Sequence, residues 1–177
     1  MTPILNQMSV PQGEQKCWLA ITGMMENFKN GNAQWNMNNV KNRFPANTPL
    51  RTTADANQAM RPEQTSSWLT AMSMTDEQAS YTAAGLCGLL SQYGPIVQGA
   101  LSDAPTALVN VWGHVRIVIG LHGDCANPAA STVTYINPDG GRIETATFAA
   151  MTTRYENFHR AYNTALQNRA KQVAQQR

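Results

Sequence analysis

Apolar residues recur with helical spacing through the first half of the chain. A helix is predicted to begin at Cys17 and to end near residues 30–32, where Gly and Asn tolerate the left-handed conformation of a C-cap. Further helices are predicted over residues 35–44 and 62–72, and the polar stretch between them is predicted to be a loop. The first helix is indicated by one face formed by Cys17, Ala20, Ile21, Met24, Met25 and Phe28.

The last helix of this first half is predicted to start at the N-cap Thr75 and to run to Tyr93. After Gly94 and Pro95 the spacing of apolar residues changes from helical to alternating. Strands are predicted over residues 95–101, 115–121, 132–136 and 142–147, with an edge strand or loop over 108–112. One face of the second strand is predicted to carry Val115, Ile117, Ile119 and Leu121.

The order of these elements predicts the fold class, an α+β domain in which helices precede an antiparallel sheet. We expect one domain over residues 1–177, with a mainly helical part over 1–94 and the antiparallel sheet over 95–147. Residues 148–177 are predicted to form a C-terminal helix and tail, because apolar residues return there to helical spacing.

Charge and cysteine content exclude several classes of function. The net charge of +2 gives no reason to expect nucleic acid as a partner. No apolar run is long enough for a membrane span, and no signal-peptide pattern is present, so any export is expected to use another route. Cys17, Cys87 and Cys125 cannot all pair, and they lack the spacing of a metal site, so neither metal nor cofactor is predicted.

Cys17 is the candidate nucleophile because it is predicted at a helix N-terminus. Unpaired amides and the positive end of the helix dipole favour an anion there, so the thiol pKa is predicted to be lowered. The alternative interpretation is a buried structural cysteine beside Trp18.

Thiol catalysis also needs a base, a group that orients the base, and donors for an oxyanion. His114 precedes the strongest predicted strand and Asn137 ends the next one, so adjacent antiparallel strands bring them together. Gln12 is the predicted oxyanion donor, with the Cys17 backbone amide as the second. Asp139 is the alternative orienting residue.

Four segments resemble, in order, the papain-like cysteine peptidases. They are most similar to the bacterial branch of bacteriocin leader peptidases and avirulence-type protease effectors. The segments are Gln-x-x-x-x-Cys-Trp-x-Ala at residues 12–20, Leu-Leu-Ser-Gln-Tyr-Gly-Pro-Ile at 89–96, the Gly-His strand at 113–121, and the strand ending in Asn-Pro-Asp-Gly-Gly at 132–141.

The resemblance implies a papain-like cysteine proteinase fold. It also implies Cys17 as nucleophile, His114 as base, Asn137 as orienting residue and Gln12 in the oxyanion hole. Two features depart from the family pattern. Gln12 lies one residue closer to the cysteine than expected, and many members have aspartate at the position of Asn137.

The predicted function is a cysteine protease that hydrolyses peptide bonds of a protein or peptide substrate through a Cys-His-Asn triad. The resemblance implies a secreted bacterial effector or toxin, exported by a specialised secretion system, with an immunity or inhibitor protein as a further partner. A cytoplasmic peptidase is the alternative. Two other functions stay open: a thiol amidase, deamidase or transglutaminase acting on side-chain amides or peptidoglycan peptides, and a non-catalytic binding module.

Overall fold

The computed structural model describes residue 8 and residues 15–76, 82–100 and 114–155. The helices are α1 (Cys17–Asn30), α2 (Pro49–Asp55), α3 (Thr65–Ala71) and α4 (Ala83–Tyr93), and residues 148–155 are also helical. The strands are β1 (Ile96–Ala100), β2 (His114–His122), β3 (Thr132–Asn137) and β4 (Arg142–Thr147). Short 3-10 helices cover Val40–Arg43, Pro62–Gln64 and Pro128–Ala130. The predicted α+β class is therefore confirmed, whereas the single domain over residues 1–177 stays a prediction.

Helix α1 has the predicted bounds. Its C-cap is Gly31 at φ 63°, and the Gly31 amide donates to the carbonyls of Asn27 and Phe28. Because a left-handed residue without a Cβ satisfies these terminal carbonyls at no steric cost, the sequence marks the end of this helix directly. At the N-terminus of α1, the side chain of the N-cap residue Lys16 makes no hydrogen bond to the first backbone amides of the helix.

The predicted loop over residues 45–62 is wrong, because it contains α2. Thr48 caps this helix by accepting a hydrogen bond from the Arg51 amide at 3.3 Å, and Pro49 occupies the first helical turn. Proline is favoured there because its missing N–H has no partner in a helix. An ion pair of 2.9 Å between Arg51 and Asp55, one turn apart, supports the helix further.

The helix predicted over residues 35–44 is also wrong, since only the 3-10 turn Val40–Arg43 forms. Asparagine side chains hold the preceding backbone in turns: the Asn39 side chain accepts from the Asn36 amide at 2.8 Å, and the Asn36 side chain accepts from the Asn38 amide at 2.9 Å. Such local bonds compete with helical hydrogen bonds.

Two further helix starts differ from the prediction. Helix α4 begins at Ala83 with Thr82 as N-cap, accepting from the Gly85 amide at 3.0 Å, and not at Thr75. Within the predicted helix over 62–72, the α-helical part is α3 and the first three residues form a 3-10 turn. The predicted edge strand or loop at 108–112 and the helix beyond residue 155 lie outside the described residues.

The sheet has the antiparallel order β1-β2-β3-β4. Ile117 pairs with Ile136, but the register shifts between Val118 and Gly120, as at a β-bulge. A bulge moves later side chains to the opposite face of the sheet. Leu121 consequently packs in the core that contains Val118, and its predicted place beside Ile117 is wrong.

Both faces of the sheet are covered. Helix α1 packs against β2 on one face, and α4 packs against β1 and β2. The α1 core contains Leu19, Ile21, Met24, Phe44, Trp68, Ile117 and Ile136, with Val115 packed against it, and the second core contains Ala83, Leu86, Val118, Val133, Tyr135, Phe148 and Met151. The alternation in β2 predicted at least one buried face, and the presence of a second explains why Arg116 is 1% exposed in the middle of the strand.

Cys87 and Cys125 form a disulfide with a Cα–Cα distance of 6.2 Å. The bond joins α4 to the loop that follows β2. No pairing of these cysteines was predicted, since they lie 38 residues apart and only the fold brings them together. Cys17 is the free cysteine.

Candidate active site

Cys17 is the first residue of α1, and its sulfur lies against the start of β2. Backbone amides of Val115, Trp18 and Cys17 itself hydrogen-bond to this sulfur. The contact from Val115 is the informative one, because Val115 directly follows His114 in β2. The packing of α1 against β2 therefore brings the thiol to the first residues of β2, the strand that begins with His114.

Burial raises the pKa of the Cys17 thiol above its ordinary value. The three backbone donors act in the opposite direction, since they stabilise the thiolate, whereas the negative charge of Asp139 raises the pKa further. The lowered pKa predicted from the helix N-terminus is therefore wrong, because the loss of water around the sulfur outweighs the amides.

His114 and Asn137 meet through their side chains, as predicted from adjacent strands. Nε2 of His114 lies 2.5 Å from Oδ1 of Asn137. Asn137, the last residue of β3, is 7% exposed, so this hydrogen bond is largely shielded from water. Sequence separation of 23 residues is bridged here by the β2–β3 pairing.

The Asn137 amide has partners on both of its ends. Oδ1 also accepts from the Asp139 backbone amide at 3.1 Å, and Nδ2 donates to Oε1 of Glu144 at 3.1 Å. Oε2 of the same carboxylate accepts from the Tyr135 hydroxyl at 2.9 Å. Because all these atoms are held, the orientation of the amide is fixed by its surroundings.

The other predicted residues have different outcomes. Gln12 lies outside the described residues. The contact of Asp139 with Asn137 comes from its backbone, and its Oδ1 is buried without a hydrogen-bond partner among the described residues.

Glu144 and Tyr135 were missed by the sequence reasoning. Tyr135 pairs with Glu144, and Asn137 pairs with Arg142, across the β3–β4 hairpin. The side chains of Tyr135, Asn137 and Glu144 therefore share one face of the sheet. The signal was present in the predicted hairpin, since its register places a carboxylate beside the end of the strand that carries Asn137.

A metal site and a membrane-spanning helix are both absent from the described part of the chain. Residues 8, 15–76, 82–100 and 114–155 contain no group of three or more His, Cys, Asp or Glu side chains suited to a metal ion. Within the same ranges, no helix has both the length and the apolar character needed to cross a bilayer.

Comparison with known proteins identifies the family. No curated protein matches the chain. The family model described as papain-like cysteine protease AvrRpt2 matches residues 2–156, a span that includes Gln12, Cys17, His114 and Asn137. This match covers most of the 177 residues, and it confirms both the papain-like resemblance and the protease activity inferred from it. The chain therefore belongs to the AvrRpt2 family of papain-like cysteine proteases, a family of bacterial effectors.

Proposed function

We propose that Cys17, His114 and Asn137 form the catalytic triad of this protease and that it hydrolyses peptide bonds in protein substrates. The observation that carries the proposal is the hydrogen bond from the Val115 amide to the Cys17 sulfur, one residue from a histidine whose Nε2 is held by Asn137. A thiol, an imidazole and an orienting amide in this order are the parts that thiol acyl transfer requires.

In this mechanism His114 removes the thiol proton during attack. Oδ1 of Asn137 is an acceptor only, so Nε2 carries a proton and Nδ1 is left as the base. Because burial raises the pKa of the thiol, a resting thiolate formed by the helix N-terminus alone is disfavoured. The proton transfer from the sulfur to Nδ1 is therefore a step that depends on His114.

The sulfur attacks the carbonyl carbon of the scissile bond, and the carbonyl oxygen becomes an oxyanion. We propose that the Cys17 amide and the side-chain amide of Gln12 stabilise this oxyanion. The imidazolium then returns its proton through Nδ1 to the leaving amine, and a thioester remains. Water, deprotonated by Nδ1, hydrolyses the thioester and restores the free thiol.

The biological setting is proposed from the family. Because its members are bacterial effectors, we propose delivery through a specialised secretion system. An immunity or inhibitor protein as a further partner stays a prediction. Nucleic acid is not expected to bind, since the net charge is only +2.

Alkylation of Cys17 by iodoacetamide tests the triad without knowledge of the natural substrate. In the wild type, peptide mass spectrometry should show that Cys17 is alkylated at neutral pH, whereas the disulfide protects Cys87 and Cys125. His114→Ala should slow alkylation at least ~10-fold below about pH 8, because the thiol then loses its base. Casein hydrolysis should be abolished in Cys17→Ala.

His122→Ala is the matched control, because this exposed histidine lies at the opposite end of the same strand. It should leave both alkylation and casein hydrolysis at wild-type rates. Equal alkylation rates in wild type and His114→Ala would overturn the assignment of His114 as base.

A further inference from the structure

We propose that Glu144 is a positioning residue for the triad: its carboxylate fixes the side-chain amide of Asn137 in one orientation and thereby holds the proton of His114 on Nε2. The inference rests on the triad proposed above. Glu144 acts through Asn137, to which it is bonded at 3.1 Å, and the step from Asn137 to His114 is the 2.5 Å contact with Nε2.

The Glu144 carboxylate is itself held in place by several groups. Each oxygen accepts one hydrogen bond, Oε1 from Nδ2 of Asn137 at 3.1 Å and Oε2 from the Tyr135 hydroxyl at 2.9 Å. Nε of Arg142 lies 3.7 Å from Oε1. The Glu144 side chain is 27% exposed, so water competes with these partners only in part. Displacement of the carboxylate from this position would break at least one of these bonds.

Tyr135 is a suitable support for this carboxylate. Burial, and after it the hydrogen bond to Glu144, raise the pKa of the phenol, so the hydroxyl keeps the proton that it donates. Tyr135 is 4% exposed, and the Arg116 guanidinium lies over its ring at 4.7 Å from the ring centre. The phenol therefore has one position from which to contact Glu144.

The donor and acceptor pattern around Asn137 decides which way its amide points. A carboxylate only accepts hydrogen bonds, so it requires the NH2 group of the amide on its side. The opposite orientation would set Oδ1 against Glu144 and would direct Nδ2 at the Asp139 amide, which is also a donor. Both contacts would be repulsive, and the half-buried Glu144 carboxylate and Asp139 amide would each lose a hydrogen-bond partner.

The orientation of the amide in turn selects the tautomer of His114. With Oδ1 facing it, Nε2 must donate, so the neutral ring carries its proton there and Nδ1 is unprotonated. With Nδ2 facing it, Nε2 would have to accept, and the neutral ring would carry its proton on Nδ1. A ring in that second state cannot take the proton of the thiol through Nδ1.

The first test measures the tautomer directly. In a Cys17→Ala background, long-range ¹H–¹⁵N spectra at about pH 8.5, where a typical imidazole is neutral, should show His114 protonated on Nε2. Adding Glu144→Ala should raise the fraction protonated on Nδ1, because the Asn137 amide is then free to turn. Glu144→Gln should restore part of the Nε2 form, since glutamine can still offer an oxygen to Nδ2.

The second test is a double-mutant cycle on the rates of Cys17 alkylation and casein hydrolysis. Glu144→Ala should lower the kcat for casein at least ~10-fold with little change in KM. Losses of this size are typical when a hydrogen-bonding group that orients a functional side chain is removed. In Asn137→Ala, adding Glu144→Ala should have almost no further effect, because the group through which Glu144 acts is gone. Equal fold losses in both backgrounds would overturn the proposal.

Thr145→Ala is the matched control for damage to the sheet edge, because Thr145 is the exposed neighbour of Glu144 in β4. It should leave tautomer and rates unchanged. If Glu144→Ala does not fold, Glu144→Thr replaces it, because threonine is too short to reach Asn137 and favours strands.

Failure of this inference can be told apart from failure of the triad. If Cys17→Ala and Asn137→Ala lose activity while Glu144→Ala keeps the Nε2 tautomer and wild-type rates, only the role of Glu144 is wrong. If Asn137→Ala also has wild-type rates, the triad assignment is wrong as well.

Discussion

Reduction of the Cys87–Cys125 disulfide should destabilise the protein by an amount that follows from its place in the chain. The two cysteines are 38 residues apart, and the bond joins α4 to the loop after β2. Closing a loop of this length removes conformational entropy from the unfolded chain, which corresponds to about 4 kcal/mol of stability at 25 °C. This figure is close to the upper end of what native disulfides contribute.

Urea unfolding followed by circular dichroism measures the effect. For a slope of about 2–3 kcal/mol per molar urea, the loss of about 4 kcal/mol lowers the midpoint by about 1–2 M. The experiment is best made in a Cys17→Ala background, so that the free thiol cannot exchange with the bond. Cys87→Ser/Cys125→Ser should unfold at the same urea concentration as the reduced protein.

Either of two results would contradict this contribution of the disulfide to stability. One is the same midpoint with and without reductant. The other is labelling of both Cys87 and Cys125 by iodoacetamide when the protein is denatured without reductant, because the bond would then be absent from the folded chain.

Two further predictions concern stability. Because burial raises the pKa of Cys17 in the folded protein, folding favours the protonated thiol. This contribution is complete below the ordinary pKa of about 8.5 and is lost as the pH rises through the folded pKa. Urea midpoints should therefore fall more steeply above about pH 8.5 in wild type than in Cys17→Ala, and parallel curves would contradict the raised pKa. Thr22→Val should cost about 1–3 kcal/mol in urea unfolding, because the buried Trp68 indole N–H donates to the Thr22 hydroxyl at 2.9 Å and would lose its acceptor. Thr70→Val, which removes an exposed hydroxyl that donates to the Ser66 carbonyl, is the control and should change stability far less; an equal cost for both would contradict the argument.

The parts of the fold that the sequence predicted are those coded by local pattern. The Cys17 helix and its Gly31 cap follow from apolar spacing and from the conformational freedom of glycine. The strands over 115–121 and 132–136 follow from alternation, and the ends of each strand lie within one residue of the predicted ends. Elements decided by caps or competing side-chain bonds were predicted less well, as α2 and the asparagine-rich turns before Val40 demonstrate.

The sequence by itself determined which chemical groups are available: a cysteine at the start of a helix, a histidine at the start of a strand and an asparagine at the end of the next. These positions follow from the short-range spacing of apolar residues, which can be read from a single sequence. The same patterns also carried the family resemblance, which the match over residues 2–156 confirms.

Only the tertiary structure decided the environment of those groups. The direction of the Cys17 pKa depends on how much water is removed from the sulfur, and the helix dipole cannot reveal that. The face on which Leu121 lies depends on a bulge between paired strands, and the partners of Asn137 depend on the register of a hairpin. Burial and register are set by residues distant in sequence, so they emerge only when the helices and the sheet have packed together.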